Sequence, residues 1–178
     1  DMERLLDEQL CRLQTDHVDF YLLHAIGRER FDMLRKLDYK RFLNDMVAKG
    51  KIRYPGFSFH DDAESFREIL DDYDWKLAQV QMNLLDEFNQ DTLDGVRYAA
   101  QKGVGIVIME PLRGGMLAKN PPENVAQVYV KLPGERTHID WCFRWLYDQP
   151  GVKVILSGMS NMDQLVDNLR IFEHTGSD

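Results

Sequence analysis

A histidine that closes a run of strand-forming residues is the first group in this chain able to do chemistry. Val18-Asp19-Phe20-Tyr21-Leu22-Leu23 is short, mostly apolar and rich in strand formers, and His24 ends it. A neutral imidazole at a strand end can donate a hydrogen bond to a substrate oxygen, or act as acid or base near neutral pH. Four further strand-like runs also end in polar residues. These are Ser58, Gln81 or Asn83, Glu110 and Ser157. A packed core places no polar groups at such positions.

Glu110 admits two readings. A glycosidase places carboxylates at strand ends and needs a pair of them. The strand that ends in His24 has none at its tip, because Asp19 lies at the opposite end. The alternative is a carboxylate that fixes its own loop by accepting backbone N–H groups. Two glycine-bearing segments follow the last two strands, Glu110-Pro111-Leu112-Arg113-Gly114-Gly115 and Ser157-Gly158-Met159-Ser160-Asn161. Glycine lets backbone N–H groups approach a phosphate, a helix N-terminus favours the anion, and Arg113 offers a charge-assisted fork. The same spacing also fits two tight turns. His60 lies in a polar loop, and His138 and His174 are expected at the surface. No HExxH spacing occurs, so no metal site is expected.

Alternating elements must position these residues. Met2, Leu5, Leu6, Leu10 and Leu13 recur at helical spacing ahead of the first strand. A polar stretch follows His24, then a helix marked by Phe42, Leu43, Met46 and Val47 and stopped by Gly50. Strands are predicted over Ile52–Ser58, Leu77–Met82, Gly105–Met109 and Val152–Leu156. Between them, Phe66, Ile69 and Leu70 mark one helix. Leu93, Val96, Ala99 and Ala100, with Gly103 behind them, mark the next. Ile139, Cys142, Phe143, Trp145 and Leu146 mark a helix capped by Thr137. The last helix begins near Asn161, with Gln164 placed as in a capping box, and carries Leu165 and Leu169. Gly114 to about Arg136, with Pro121, Pro122 and Pro133, reads as a flexible loop.

Five strands alternating with helices imply parallel pairing through right-handed crossovers. The two apolar central runs suggest strands covered on both faces. No GxGxxG follows the first strand and no P-loop occurs, so neither nucleotide-binding signature is present. A (β/α)8 barrel fits the alternation but needs about 250 residues. The 178 residues supply five-eighths of one. Missing strands are expected upstream or from a partner, because a five-stranded slice exposes two edges and an apolar inner face.

Composition narrows the classes further. Hydrophobic residues make up 44% and charged residues 29%, which suits a globular chain. Lys plus Arg is 22 against 30 Asp plus Glu, a net charge of -8, which argues against a general nucleic-acid surface. No apolar run is long enough to span a membrane, and Cys11 and Cys142 form no CxxC. A reducing cytoplasm is the expected setting.

Several segments together resemble one family. HVDFYLLH (His17 to His24), GKIRYPGFS (Gly50 to Ser58), QVQMNLL (Gln79 to Leu85), MEPLRGG (Met109 to Gly115) and LSGMSNMDQLVDN (Leu156 to Asn168) look like the aldo-keto reductases, in order and at the family's spacing. The nearest likeness is to a prokaryotic branch that often carries a C-terminal ferredoxin-like domain. An iron–sulfur cluster is expected only in a domain outside this chain. The resemblance implies a TIM (β/α)8 barrel, here strands four to eight as one partial domain over residues 1–178. It implies hydride transfer between NADPH or NADH and a small-molecule carbonyl or alcohol.

His24 matches the catalytic histidine of that family. Ser58 and Gln79 match residues that hold the nicotinamide carboxamide, and Met109 falls where many members stack an aromatic ring. Leu112, Arg113 and Gly114 match the pyrophosphate loop. Gly158, Met159, Ser160, Gln164 and Asn168 match the adenosine end. Phe59 stands where many members have Asn, and Gly158 and Gln164 where many have Lys and Arg. The Asp, Tyr and Lys of the catalytic tetrad would come from strands one to three, ahead of Asp1. The resemblance therefore leaves a second expectation, a non-catalytic fragment or nucleotide-binding module that retains part of the cofactor site. Self-association through the open barrel face is expected of the isolated chain.

Overall fold

The computed structural model describes residues 2–86, 92–132 and 134–173. Pro133 and His174, both singled out above, lie outside the described residues. The predicted alternation is present as eight helices and five strands among the described residues. Helix α1 (Met2–Leu13) buries Leu6 and Leu10, and β1 (Val18–Ile26) follows. Helices α2 (Arg28–Lys36) and α3 (Tyr39–Ala48) lead to β2 (Ile52–Phe59). Then come α4 (Ala63–Asp72), β3 (Leu77–Gln81), α5 (Thr92–Gln101) and β4 (Gly105–Met109). A 3-10 turn (Met116–Ala118), α6 (Glu123–Tyr129), α7 (His138–Tyr147), β5 (Val152–Ile155) and α8 (Met162–Glu173) complete the order.

Local signals end the helices where the sequence placed them. Gly50 and Gly103 adopt positive φ (73° and 75°), which glycine enters without steric cost. Each closes a Schellman motif. Lys51 N–H donates to Met46 O at 3.0 Å, and Val104 N–H to Ala99 O at 2.9 Å. At the other end, Thr137 accepts from Asp140 N–H at 3.2 Å while Asp140 accepts from Thr137 N–H at 3.0 Å, a reciprocal capping box on α7.

Two expectations are corrected. The polar stretch after His24 holds α2. Phe31 and Leu34 give it an apolar side, and Phe31 is buried against Tyr39 with ring centroids 6.1 Å apart. So short a stripe is weak in sequence, and tertiary burial stabilises it. The expected flexible loop holds the 3-10 turn and α6. Pro122 immediately precedes α6, a place where the missing N–H and fixed φ of proline favour a helix start.

The sheet runs β1-β2-β3-β4-β5 and every pair is parallel. Each right-handed crossover advances one strand in the same direction, so all helices fall on one face. A doubly wound sheet would reverse direction midway. The fold is therefore α/β with a singly wound parallel sheet, the arrangement of staves in a TIM barrel. Leu23, Phe57, Phe59, Ala78, Val80, Ile106 and Ile108 are buried beneath the helices. An aromatic cluster anchors this layer. Tyr39 stacks on Trp75 at 5.8 Å, Phe57 meets the Trp75 edge at 5.0 Å, and Trp75 Nε1–H donates to Ile69 O.

The opposite face is uneven. Val107 is buried on β4, but Phe20 and Tyr54 are 51% and 47% exposed and Val154 is 45% exposed. Coverage on both faces thus holds for the central β4, while the inner faces of β1 and β5 stay open. Among the described residues, no helix is long and apolar enough to cross a membrane.

Candidate active site

Residues from neighbouring strands meet at the C-terminal end of the sheet. Register pairs Ser58 with Gln79 and Gln79 with Val107, so these side chains share the inner face. Gln79 Nε2–H donates to Met109 Sδ at 3.5 Å. His24 is exposed at the end of the same face, with its Nδ1 3.4 Å from the Ser58 hydroxyl. Ser58 is buried and also accepts from Ala25 N–H at 2.7 Å. His24–Ser58 and Gln79–Met109 are therefore two contacting pairs that the β2–β3 register sets side by side. Phe59, next along β2, faces the helices and packs on Phe66 at 4.9 Å. Alternation along a strand requires this, so no residue at position 59 could join the set without a bulge.

Three of the five non-glycine residues with positive φ among the described residues lie at the same end, the others being Gln14 and Asp38. Ala25, Glu110 and Arg113 hold φ of +48°, +56° and +50°, values that side-chain-bearing residues rarely adopt. Such strain persists only where surrounding bonds enforce it, and it clusters at functional sites. Arg30 donates to His24 O at 3.3 Å and to Ala25 O at 3.4 Å, bracing the first of these turns.

A second group begins one residue beyond Met109. A cleft of about 310 Å³ is lined by Glu110 to Leu112, Gly114, Leu156 to Met159, Gln164, Asp167 and Asn168, among others. Six of the residues that the resemblance assigns to the dinucleotide line it: Leu112, Gly114, Gly158, Met159, Gln164 and Asn168. Arg113 turns instead toward Asp86, 3.2 Å from its guanidinium Nε. Ser160 donates its N–H and hydroxyl to Gln164 Oε1 at 2.8 and 3.2 Å. Asn161 Oδ1 accepts from Gln164 N–H at 2.9 Å, so the expected cap at Asn161 is present, while the reciprocal bond of the Gln164 side chain goes to Ser160. Asn168 is buried and donates to Ser157 Oγ at 2.5 Å, tying α8 to the end of β5.

The loop after β4 is largely self-bonded. Glu110 accepts from Gly114 N–H at 2.6 Å. Arg113, Gly115, Met116 and Leu117 N–H groups all donate within the loop. Glu110 therefore acts as the loop-fixing carboxylate. The cleft lining includes two carboxylates, Glu110 and Asp167, and no Lys, Arg or His. Two isolated histidines differ from each other. His60 is exposed as expected, but His138 is half-buried, with its Nε2 shut from solvent at the start of α7.

Sequence reading named Asn83 as a strand-end polar residue but not its tie between loops, and it did not single out Asp61. Asn83 is fully buried. It accepts from Leu85 and Asp86 N–H groups at 3.1 Å and donates to Glu110 O at 3.3 Å, joining the loop after β3 to the loop after β4. Asp61 accepts from Arg28 N–H at 2.8 Å, joining the loops after β1 and β2. An Asx-type turn signal at Asn83-Leu84-Leu85-Asp86 was readable. The long-range partners were not.

Comparison with known proteins places this geometry. The family model described as Aldo/keto reductase family matches residues 1–178. A glyoxal reductase of Bacillus subtilis is 27% identical over 167 residues, covering 94% of this chain and 55% of its own. The solved aldo-keto reductase of Bacillus halodurans, in its holo form, superposes with a TM-score of 0.79 at 23% identity, covering 99% of this chain and 60% of that one. A Klebsiella pneumoniae aldo-keto reductase solved in complex with NADPH is 25% identical with a TM-score of 0.62, covering 97% and 59%. The chain spans between 33% and 56% of the length of the curated relatives it matches.

Proposed function

This chain belongs to the aldo/keto reductase family, and we propose that residues 1–178 form strands four to eight, with their helices, of a TIM barrel that passes a hydride between NADPH or NADH and a small carbonyl or alcohol substrate. One observation carries the reading: an exposed His24 stands beside Ser58, Gln79 and Met109 at the sheet end where the adjoining loops form a cleft. The cleft residues Leu112, Gly114, Gly158, Met159, Gln164 and Asn168 would hold the dinucleotide, with Arg113 and Ser160 at its margin. Apolar Leu112 and Met159 suit the face of an adenine. The carboxamide of Gln79 suits the amide of a nicotinamide. The NADPH bound by the Klebsiella relative supports the same cofactor class.

The cofactor, when bound, supplies the hydride. His24 donates a hydrogen bond to the carbonyl oxygen and orients it, which favours the negative charge that develops there. The proton that completes the alcohol comes, by the family resemblance, from a Tyr assisted by Asp and Lys in strands one to three.

Two measurements on the full-length protein test this: fluorescence titration with NADPH and NADH, and oxidation of either cofactor in the presence of simple aldehydes. His24→Ala is expected to lower turnover by about a hundredfold or more with cofactor affinity nearly unchanged. Full turnover by His24→Ala would remove its role. Cofactor binding with no turnover on any carbonyl would favour the binding-module alternative.

A further inference from the structure

Arg113 is the one cation among the residues that the resemblance assigns to the dinucleotide, and Asp86 holds it. Its guanidinium Nε lies 3.2 Å from Asp86 Oδ2. The two partners are unequal. The Arg113 side chain is 45% exposed, while that of Asp86 is 13% exposed and fixed from behind. Asp86 N–H donates to Asn83 Oδ1 at 3.1 Å, and Asp86 Oδ2 accepts from Asn83 Nδ2 at 3.0 Å. Asn83 is fully buried, and the same Nδ2 donates to Glu110 O at 3.3 Å. Glu110 O also accepts from Arg113 N–H at 3.0 Å. The turn that carries Arg113 and the carboxylate that takes its side chain are thus fixed to one buried amide.

This arrangement creates a competition. A pyrophosphate carries negative charge, and a guanidinium is the side chain whose fork matches it best. Among the described residues, the cleft lining holds Glu110 and Asp167 and no Lys, Arg or His. Glu110 is engaged by Gly114 N–H, and Asp167 by Arg170 at 2.9 Å. Arg113 stands at the margin, between Leu112 and Gly114, which both line the cleft. An anion in the cleft can recruit Arg113 only against Asp86. That carboxylate is held in place by Asn83 and shielded from water, so it is a stronger rival than an exposed one.

We propose that Asp86 is a positioning residue that sets the affinity of the cleft for anions: it holds the Arg113 guanidinium at the margin and competes for it with the phosphates of a dinucleotide. This rests on the reading of the cleft as the dinucleotide site. It goes beyond the resemblance, which assigns Asp86 no role.

The test is fluorescence titration of the full-length protein with NADPH and NADH at low and high salt. Asp86→Asn keeps an acceptor for Asn83 Nδ2 and removes the charge. It is expected to bind its cofactor about fivefold more tightly than the parent at low salt, the worth of one partly exposed ion pair, and to lose affinity more steeply as salt rises. Asp86→Asn combined with Arg113→Gln is expected to lose that gain. Unchanged or weaker binding by a folded Asp86→Asn protein overturns the proposal and leaves Asp86 as a tie between loops. A gain that persists in the double variant overturns it too, because Arg113 would not be the agent. A second measurement needs no change at Asp86. The Nε–H signal of Arg113 in 15N-arginine spectra, identified by its loss in Arg113→Gln, is expected to be protected from exchange in the free protein and to shift and exchange faster when cofactor binds. A signal that bound cofactor leaves unmoved overturns the competition. If the parent binds neither cofactor, the proposal falls together with the cofactor reading. Cofactor binding with the wrong response to Asp86→Asn overturns the proposal alone.

Discussion

Glu110 shows how one residue can serve a site without acting in the reaction. Its carboxylate accepts from Gly114 N–H at 2.6 Å and so holds a turn in which Glu110, Arg113 and Gly114 all adopt positive φ. Glutamine can accept the same hydrogen bond and alanine cannot. Glu110→Gln is therefore expected to bind NADPH or NADH as the parent does, and Glu110→Ala about fivefold more weakly, the worth of one hydrogen bond of about 1 kcal/mol. Fluorescence titration of both variants checks this. A hydrolytic role would show itself differently, as loss of turnover in both variants with cofactor binding intact.

At the level of elements, the strand ends are rigid because loops are bonded to each other. Asn83 joins the loops after β3 and β4, and Asp61 those after β1 and β2. A further tie joins α7 to α8. Asp140 accepts from Thr137 and from Arg170, the latter at 2.9 Å. Burial by itself would raise the Asp140 pKa, but the hydrogen bonds from Arg170 and Thr137 outweigh it and hold the value below the usual 3.8. A carboxylate with a depressed folded pKa contributes its stability above the unfolded value and loses it as pH falls through the folded one. Asp140→Ala is expected to destabilise the protein by about 1–3 kcal/mol at neutral pH, through the lost cap and the unpaired neighbours. Denaturant midpoints should show the gap between parent and variant closing as pH drops below 3.8. A gap independent of pH would mean that Asp140 stabilises α7 without its charge.

At the level of the whole molecule, the two faces of the sheet are unequal. The helix side is closed, while Phe20, Tyr54 and Val154 on the inner side are about half exposed. Leu156 after β5 and Leu165, Val166 and Leu169 of α8 are exposed as well. A surface this apolar associates or takes up hydrophobic dye. Expressed alone, the 178 residues are expected to elute above their own 20.9 kDa and to bind ANS, and the full-length protein to elute at its own monomer mass without binding the dye. A monodisperse 20.9 kDa species without dye binding would show that this unit needs no cover. The expected association is a property of the isolated chain, because upstream strands would cover the inner face in a closed barrel.

Periodicity, glycine stops and the Thr137 cap made the order of strands and most helices legible, because those signals are local and each residue carries its own. The strand-end positions of His24, Ser58 and Glu110 were legible for the same reason. Helices α2 and α6 were not, since Phe31 needs Tyr39 to bury it, and a Pro-Pro pair reads as a loop until the following turn forms. The one-residue bulge at His24–Ala25 was equally hidden. It exists only as a mismatch between two strands 33 residues apart, and no single strand encodes a mismatch. The sequence by itself thus determined which chemical groups stand at the sheet end. Only the tertiary structure decided which atoms they offer, because a hydrogen bond consumes a donor, and the partner that consumes it comes from another strand.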